Sequence, residues 1–231
     1  MDFDLLPFHL CDTAGQRTLH SSLNLLLPRL KPNPNSNSRY RNDRPRQREK
    51  RSGKAKAEAK MPISLYELTI PVFLKNLRIL SKLLDRGLEH VKDESNDLTE
   101  EILVSARLIA NMEAFAYQVQ SVSRTATSFL SNVGKLDVPV WEDSEKTVAE
   151  LQARLQKTVA LLETVRPEDV DAGEQRPAAL QTKSGELKYE TGISYALELA
   201  LPNFFFHFVT AYGLLRKEGV EIGKAHYLGM K

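Results

Sequence analysis

Apolar residues recur at every third or fourth position along most of the chain after residue 61, which is the spacing of amphipathic helices. The first such run begins behind Ser64 and Glu67, which are spaced as in a capping box. Pro71 falls early in the run and lacks the N–H group of a helix interior, so we predict a kink, or a new helix start near Thr69. The apolar stripe that follows consists of Phe73, Leu77, Leu80, Leu84, Leu88 and Val91.

Three further helices are predicted from the same spacing. The second covers 98–132, the third runs from Asp143 or Ser144 to about Val165, and the fourth covers 192–217 with a kink or interruption at Pro202. Inward positions of the second helix are predicted to be Ile102, Ala106, Ile109, Met112, Phe115, Ala116, Val119, Val122, Ala126 and Phe129. Those of the third are Val148, Leu151, Leu155, Leu162 and Val165.

One short stretch does not follow the helical spacing. The segments AALQT and ELKYE alternate polar and apolar residues on either side of Lys183, Ser184 and Gly185, which predicts a β-hairpin. The sequence therefore predicts an all-α fold, an up-down four-helix bundle with a short β-hairpin before the last helix. That last helix is apolar on all sides, which is typical of an enclosed helix or a dimer interface.

Charge is distributed unevenly along the chain. The totals of 32 Lys and Arg and 30 Asp and Glu nearly balance. Residues 1–60, however, hold 13 basic and 6 acidic side chains, whereas residues 61–231 hold 19 basic and 24 acidic side chains. The basic excess lies in 39–60, after a stretch rich in Pro, Asn and Ser. We therefore predict a disordered basic N-terminal extension over 1–60 and one folded domain over 61–231.

The function of this extension is open on sequence grounds. A basic run is found in nuclear-localisation and nucleic-acid-binding tails, but it is more often a solvated linker, or here an upstream segment joined to the domain by gene prediction. The acidic domain carries no helix-turn-helix signal, so nucleic-acid binding by the domain is not expected. No apolar stretch is long enough to cross a membrane. We expect a cytoplasmic protein, with a nuclear or mitochondrial location as the alternative if the extension is native.

Familiar catalytic motifs are absent, and the single cysteine, Cys11, lies outside the predicted domain. Polar residues nevertheless interrupt the apolar fourth helix, where Asn203 and His207 lie one turn apart on one face and Tyr212 follows. Buried polar groups need hydrogen-bond partners, so these three residues are predicted to line a small polar pocket that binds a ligand. The alternative is that His207 is a core histidine whose hydrogen bonds are satisfied internally.

Four segments of the domain, in this order, closely resemble the sequences of a small protein family that is found in bacteria and fungi. They read MPISLYELTIPVFLKNLRILSKLL, ARLIANMEAFAYQVQ, VPVWEDSEKTVAELQARL and LPNFFFHFVTAYGLLRKEGVEIGKAHYLG. The family is the domain of unknown function numbered nineteen-ninety-three, in the DinB/YfiT-like superfamily of four-helix bundles. The resemblance covers essentially all of 61–231 and none of 1–60.

The resemblance implies an up-down bundle, often dimeric, with a cavity at one end. Active superfamily members use a three-histidine metal site, with one ligand on the second helix and an H-x-x-x-H pair on the fourth. Only His207 matches this pattern, because position 203 is Asn, position 211 is Ala and the second helix has no histidine. Three or more protein ligands are usual for zinc, so the resemblance strengthens the fold and weakens the metal chemistry.

We therefore predict a small-ligand-binding or otherwise non-catalytic homodimer with no catalytic residues and no required cofactor. One alternative is a metal-dependent transferase or hydrolase with a degenerate divalent-metal site, in which His207 combines with His226, Glu113 or Glu198. The second alternative is nucleic-acid binding through the basic run 39–60.

Overall fold

A computed structural model describes residues 63–182 and 184–231. The predictions for 1–60, namely the disordered extension and the nucleic-acid-binding run, lie outside the described residues. Within the described part of the chain, no helix is long and apolar enough to cross a membrane.

The described residues form a mostly helical fold with one antiparallel hairpin, as predicted. In chain order the elements are α1 (Leu65–Val91), α2 (Glu100–Ser105), α3 (Phe115–Phe129), α4 (Val148–Glu163), α5 (Pro167–Asp171), β1 (Ala178–Thr182), β2 (Gly185–Tyr189), α6 (Gly192–Ser194), α7 (Leu201–Lys217) and α8 (Lys224–Tyr227). A π-helical segment, Leu130–Gly134, continues α3, and another, Tyr195–Ala200, joins α6 to α7.

The four longest helices enclose the core. Helix α1 packs against α4 and α7, and α3 packs against the same two helices, so each long helix has two long neighbours. Aromatic rings fill the centre, where the ring centroid of Phe73 lies 4.9 Å from that of Phe204 and 5.7 Å from that of Phe129. Burying such large apolar side chains is the main source of stability in a helical domain.

The capping box at the start of α1 is present, but the predicted restart of this helix is wrong. The Ser64 hydroxyl accepts from the Glu67 N–H and the Glu67 carboxylate accepts from the Ser64 N–H. The helix then runs past Pro71 without a new start, and the Thr69 hydroxyl donates to the Leu65 carbonyl. Thr69 therefore lies inside the helix, because packing of the long apolar face outweighs one missing N–H donor.

The second predicted helix, 98–132, is divided in two. Residues 106–114 form an irregular segment in which Ile109 is exposed, and Ile102 in the preceding α2 is exposed as well. The Phe115 N–H donates to the Ala106 carbonyl, and Arg107 closes the segment by pairing with Glu113 and donating to the Met112 carbonyl. The helical spacing of 106–112 was therefore fortuitous, and side-chain contacts to the backbone determine its shape.

The third helix begins later than predicted. Thr147 and Glu150 form its capping box, so α4 starts at Val148 rather than near Asp143. All five predicted inward residues of this helix are buried: Val148, Leu151, Leu155, Leu162 and Val165. The residues before Thr147 are free to make the side-chain contacts described below.

The predicted hairpin and last helical run are both present. Strand β1 pairs antiparallel with β2, from Ala178 opposite Tyr189 to Thr182 opposite Gly185. The helical run covers 192–217, and its π-helical segment comes directly before Pro202. Proline cannot donate to the carbonyl four residues earlier, and the wider π-helical turn is located where that hydrogen bond is missing.

Three backbone segments meet beside the hairpin without room for side chains. A Cβ atom at Gly173 would lie 2.4 Å from the Val133 carbonyl oxygen, and one at Gly192 would lie 2.4 Å from the Gly173 carbonyl oxygen. This crossing joins the end of the α3 run, the segment after α5 and the start of the last helical run. It thereby fixes the hairpin next to α3.

Alanine substitutions should reveal this crossing. We expect Gly192→Ala to lower the free energy of unfolding by about 1–3 kcal/mol, because a backbone segment must shift. Gly213→Ala is the matched control, since a Cβ atom there meets nothing within 4 Å and the residue is helical. It should raise the free energy by about 0.5–1 kcal/mol. Urea unfolding measures both, and shifts of the same sign would contradict the crossing.

Candidate functional site

Three side-chain hydrogen bonds connect the α3 run to the last helical run. His207 Nδ1 lies 2.8 Å from Gln118 Oε1, and Asn203 Nδ2 donates to Thr125 Oγ1 at 2.7 Å. Farther along, Asn132 Nδ2 donates to the Tyr195 hydroxyl at 2.8 Å. We call this set of three hydrogen bonds the polar ladder. Its order shows that the two helical runs are antiparallel, since rising numbers on one side meet falling numbers on the other.

The polar ladder sets the chemical state of His207. The amide oxygen of Gln118 can only accept, because its Nε2 donates to the Glu113 carbonyl, so Nδ1 of the histidine carries the proton. Burial, together with the nearby positive charge of Arg124, lowers the pKa of His207 to about 4. The imidazole is therefore neutral near pH 7, with Nε2 unprotonated.

A small cavity of about 50 Å³ lies against the polar ladder. We call it the inner cavity, and it is lined by Tyr117, Arg124, Thr125, Ser128, Leu180, Tyr195, Leu199, Ala200, Asn203 and His207. The predicted pair of Asn203 and His207 is therefore brought together at one cavity. A volume of this size accommodates water or a small substituent of a ligand, but not a whole organic molecule.

Tyr212 and His226 lie elsewhere. Tyr212 follows His207 by five residues, which places it about 140° around the helix. Its ring packs on that of Tyr227, with centroids 5.5 Å apart. His226 is in α8, where its Nδ1 accepts from the Gly223 N–H at 3.0 Å. The geometry thus separates both residues from the inner cavity.

A larger cleft adjoins the inner cavity and shares Arg124, Ser128 and Leu180 with it. This cleft, the polar cleft, has a volume of about 510 Å³ and lies between α3, the crossover 135–147 and β1. Its other lining residues are Thr127, Ser131, Asn132, Val138, Pro139, Val140, Trp141, Glu142, Asp143, Arg154 and Gln181. The volume falls in the range of about 300–1,000 Å³ that is typical of small-molecule sites.

Two arginines hold one carboxylate at the edge of the polar cleft. Arg124 of α3 pairs with Asp143 Oδ2, and Arg154 Nη1 of α4 lies 2.9 Å from Asp143 Oδ1. Arg154 is nearly buried, with 3% of its side chain exposed, and also pairs with Glu145 at 3.0 Å. A buried guanidinium requires such compensation, because an unpaired charge is costly away from water. We call the arrangement of Arg124, Arg154 and Asp143 the arginine clamp.

Sequence reasoning missed the arginine clamp. One signal was available, since Arg154 lies three residues after Leu151 and four before Thr158, and therefore on the inward face of the predicted third helix. A charged residue at an inward position indicates a buried pair. No comparable signal pointed to Asp143, which was assigned to a helix start instead.

The three-histidine metal site implied by the superfamily does not fit these residues. His207 uses Nδ1 on Gln118, the position one turn earlier is Asn203, and α3 contributes no histidine. Among residues 63–182 and 184–231, no group of three or more His, Cys, Asp or Glu side chains could hold a metal ion. Glu113 and Glu198 accordingly form no such group with His207.

Comparison with protein families gives one match, over residues 65–228, to the family described as a domain of unknown function (DUF1993). The matched segment includes every long helix and both cavities. The chain belongs to the DUF1993 family. No curated protein matches it.

Among solved structures, the DUF1993 domain is similar to a DinB family member from Shewanella denitrificans, with 33% sequence identity and a TM-score of 0.63. The alignment covers 71% of this chain and 92% of that chain. The predicted resemblance to DUF1993 and to DinB-like proteins is thus confirmed.

Acid should destabilise the domain through His207. Its pKa is about 4 when folded and has an ordinary value of 6.5, so the unfolded chain binds the proton first as the pH falls. The neutral imidazole makes its full contribution to the free energy of unfolding above pH 6.5. This contribution is lost between about pH 6.5 and 4, and the free energy of unfolding falls by up to about 3 kcal/mol.

The comparison is between wild type and His207→Gln, which cannot take up a proton in this range. We expect urea-derived unfolding free energies to fall more steeply from pH 6.5 to 4 for wild type, and to differ by a constant above pH 6.5. Parallel profiles over the whole range would contradict the buried neutral state.

Proposed function

We propose that the protein is a DinB-like, non-catalytic helical bundle that binds a small molecule at the inner cavity and the polar cleft. The observation that carries the proposal is the pair of adjoining cavities with shared lining residues, in which neutral polar groups of His207 and Asn203 lie beside a cleft of about 510 Å³. A ligand held in the polar cleft extends one polar substituent past Ser128 towards His207.

The chemistry of the site favours binding over catalysis. A general base needs a pKa near the working pH, whereas the pKa of His207 is about 4. Its Nδ1 bond to Gln118 orients the ring, so that Nε2 is the nitrogen left to accept a hydrogen bond from a ligand. A fixed acceptor beside the Asn203 amide suits recognition of a hydroxyl or amide group.

The proposal includes an up-down arrangement of the four long helices and a homodimer. The antiparallel polar ladder supports the first. For the second, the last helical run carries no Asp, Glu, Lys or Arg between Leu199 and Leu215, and Phe206 and Val209 on the outer face of α7 are 55% and 47% exposed. An exposed apolar helix face without charge is the kind of surface that a second copy covers.

Ligand binding can be tested by a thermal-shift screen of small polar metabolites. We expect compounds that raise the melting temperature of wild type to bind His207→Ala about tenfold more weakly, because one hydrogen bond to the ligand is lost. Tyr212→Phe is the matched control and should keep the full shift, since Tyr212 does not line the inner cavity.

The ligand-induced shift, rather than stability, separates the two interpretations of His207. The His207→Ala variant will be less stable in either case, because Gln118 loses its partner. Unchanged ligand shifts in this less stable variant would show that His207 is only a core residue, and would overturn the proposed site.

The dimer can be tested by light scattering of the eluting protein. We expect a dimer for wild type and a monomer for Phe206→Glu, because a two-fold interface places the new charge opposite its own copy. Ile63→Glu is the control, since Ile63 is a 66% exposed apolar residue that precedes α1 and lies outside the α7 face. A dimer that persists in Phe206→Glu, or a monomeric wild type, would exclude this interface.

A further inference from the structure

The crossover 135–147 is held by side chains rather than by its backbone. Between Asp137 and Lys146, no backbone-to-backbone hydrogen bond joins these residues to any other described residue. Four arginine contacts hold it instead: Asp143 pairs with both Arg124 and Arg154, and Arg154 also contacts the Glu142 carbonyl and the Glu145 carboxylate. Such a segment can move away from the cleft without breaking a helix or a strand.

The arginine clamp has the geometry of a carboxylate-binding site. Each oxygen of Asp143 takes one guanidinium, and the two arginines come from different helices. The Arg124 contact is a charge-assisted hydrogen bond and the Arg154 contact is an ion pair, and guanidinium groups recognise carboxylates through both kinds of interaction. The carboxylate that occupies the clamp belongs to a partly exposed residue of an irregular segment, in the wall of a cleft large enough for an organic molecule.

We infer that the arginine clamp binds the carboxylate of a small organic acid, and that Asp143 occupies the clamp as an internal competitor. When such an acid enters the polar cleft, its carboxylate replaces that of Asp143 between Arg124 and Arg154. No covalent bond is made or broken, and the part of the crossover that carries Asp143 moves outwards while Glu145 keeps its contacts with Arg154 and Gln120. The inference rests on the proposed binding function and names its ligand class.

Charge and shape define the acid further. Glu145 stays on Arg154 and is held by Gln120 as well, so one negative charge leaves the clamp and one enters it. A monoanion therefore leaves the net charge around the two arginines unchanged, whereas a dianion such as phosphate adds an uncompensated negative charge. Val138, Pro139, Val140, Trp141 and Leu180 provide an apolar wall. The ligand is thus a monocarboxylate with an apolar body.

One buried donor also favours a carboxylate that binds differently from Asp143. The Nε atom of Arg154 has no hydrogen-bond partner among the described residues. Asp143 lies 2.9 Å from Nη1 and makes no hydrogen bond with Nε, whereas a carboxylate lying side-on to the guanidinium reaches both Nε and a terminal nitrogen. A ligand that satisfies this donor gains an interaction that Asp143 does not make.

The test uses Trp141 as its reporter, because it is the only tryptophan of the chain and lines the polar cleft. Full-length wild type, Asp143→Asn and Arg124→Gln are titrated with sodium benzoate at constant ionic strength. Benzyl alcohol serves as the uncharged control with the same ring, and inorganic phosphate as the dianion, with all titrations at about pH 8, where phosphate is mostly dianionic. We expect saturable fluorescence changes with benzoate and at least tenfold weaker binding of both comparison compounds.

The variants separate competition from a purely structural ion pair. Removing the competing charge in Asp143→Asn should tighten benzoate binding at least tenfold, whereas Arg124→Gln should weaken it at least tenfold. If Asp143 only stabilises the fold, Asp143→Asn will bind benzoate no more tightly than wild type, and the inference is overturned. If Asp143→Asn does not fold, wild type and Arg124→Gln decide the question. Equal binding of benzoate and benzyl alcohol by wild type overturns the inference. A tenfold preference of wild type for benzoate that is lost in Arg124→Gln supports the inference.

Failure of the ligand class is distinguishable from failure of the binding function. Compounds that still depend on His207 in the thermal-shift screen, together with no response to benzoate, would remove the carboxylate assignment alone. An absence of both would remove the binding function too.

Discussion

The polar ladder between α3 and the last helical run holds the remainder of the site in position. Buried donors and acceptors are satisfied in one register only, since sliding either helix by a turn would leave Gln118, Asn132 and Thr125 without their partners. The same register places Arg124 beside the crossover. A purely apolar interface would tolerate such a slide more easily, because apolar contacts have little direction.

A second constraint follows from the position of Arg154. Its side chain is nearly buried, so the fold must supply negative charge nearby, and Asp143 and Glu145 of the crossover supply it. The capping box of Thr147 and Glu150 starts α4 at Val148, which leaves the acidic residues before it outside the helix and available to compensate the arginine. The crossover consequently lines a cleft with side chains, while its backbone between Asp137 and Lys146 makes no hydrogen bond with other described backbone.

Much of the fold was predictable because its signals are local. The capping box of α1, the helical spacing and the alternation around Gly185 identified α1, α4, the hairpin and the last helical run to within five residues. The failures share one cause, which is that tertiary contacts outweighed a local pattern. Residues 106–112 have helical spacing but follow the contacts of Arg107, and the apolar packing of α1 carries that helix through Pro71.

The candidate site was likewise predictable where it depends on local sequence and not where it depends on tertiary contacts. By itself the sequence determined that Asn203 and His207 share one face of an apolar helix, because one turn of helix is a local distance. Only the tertiary structure decided that Gln118, 89 residues away, orients the histidine, that Tyr212 faces elsewhere, and that two distant arginines meet at Asp143. Partners of this kind depend on how helices pack, and packing is a property of the whole core that no single stretch of sequence contains.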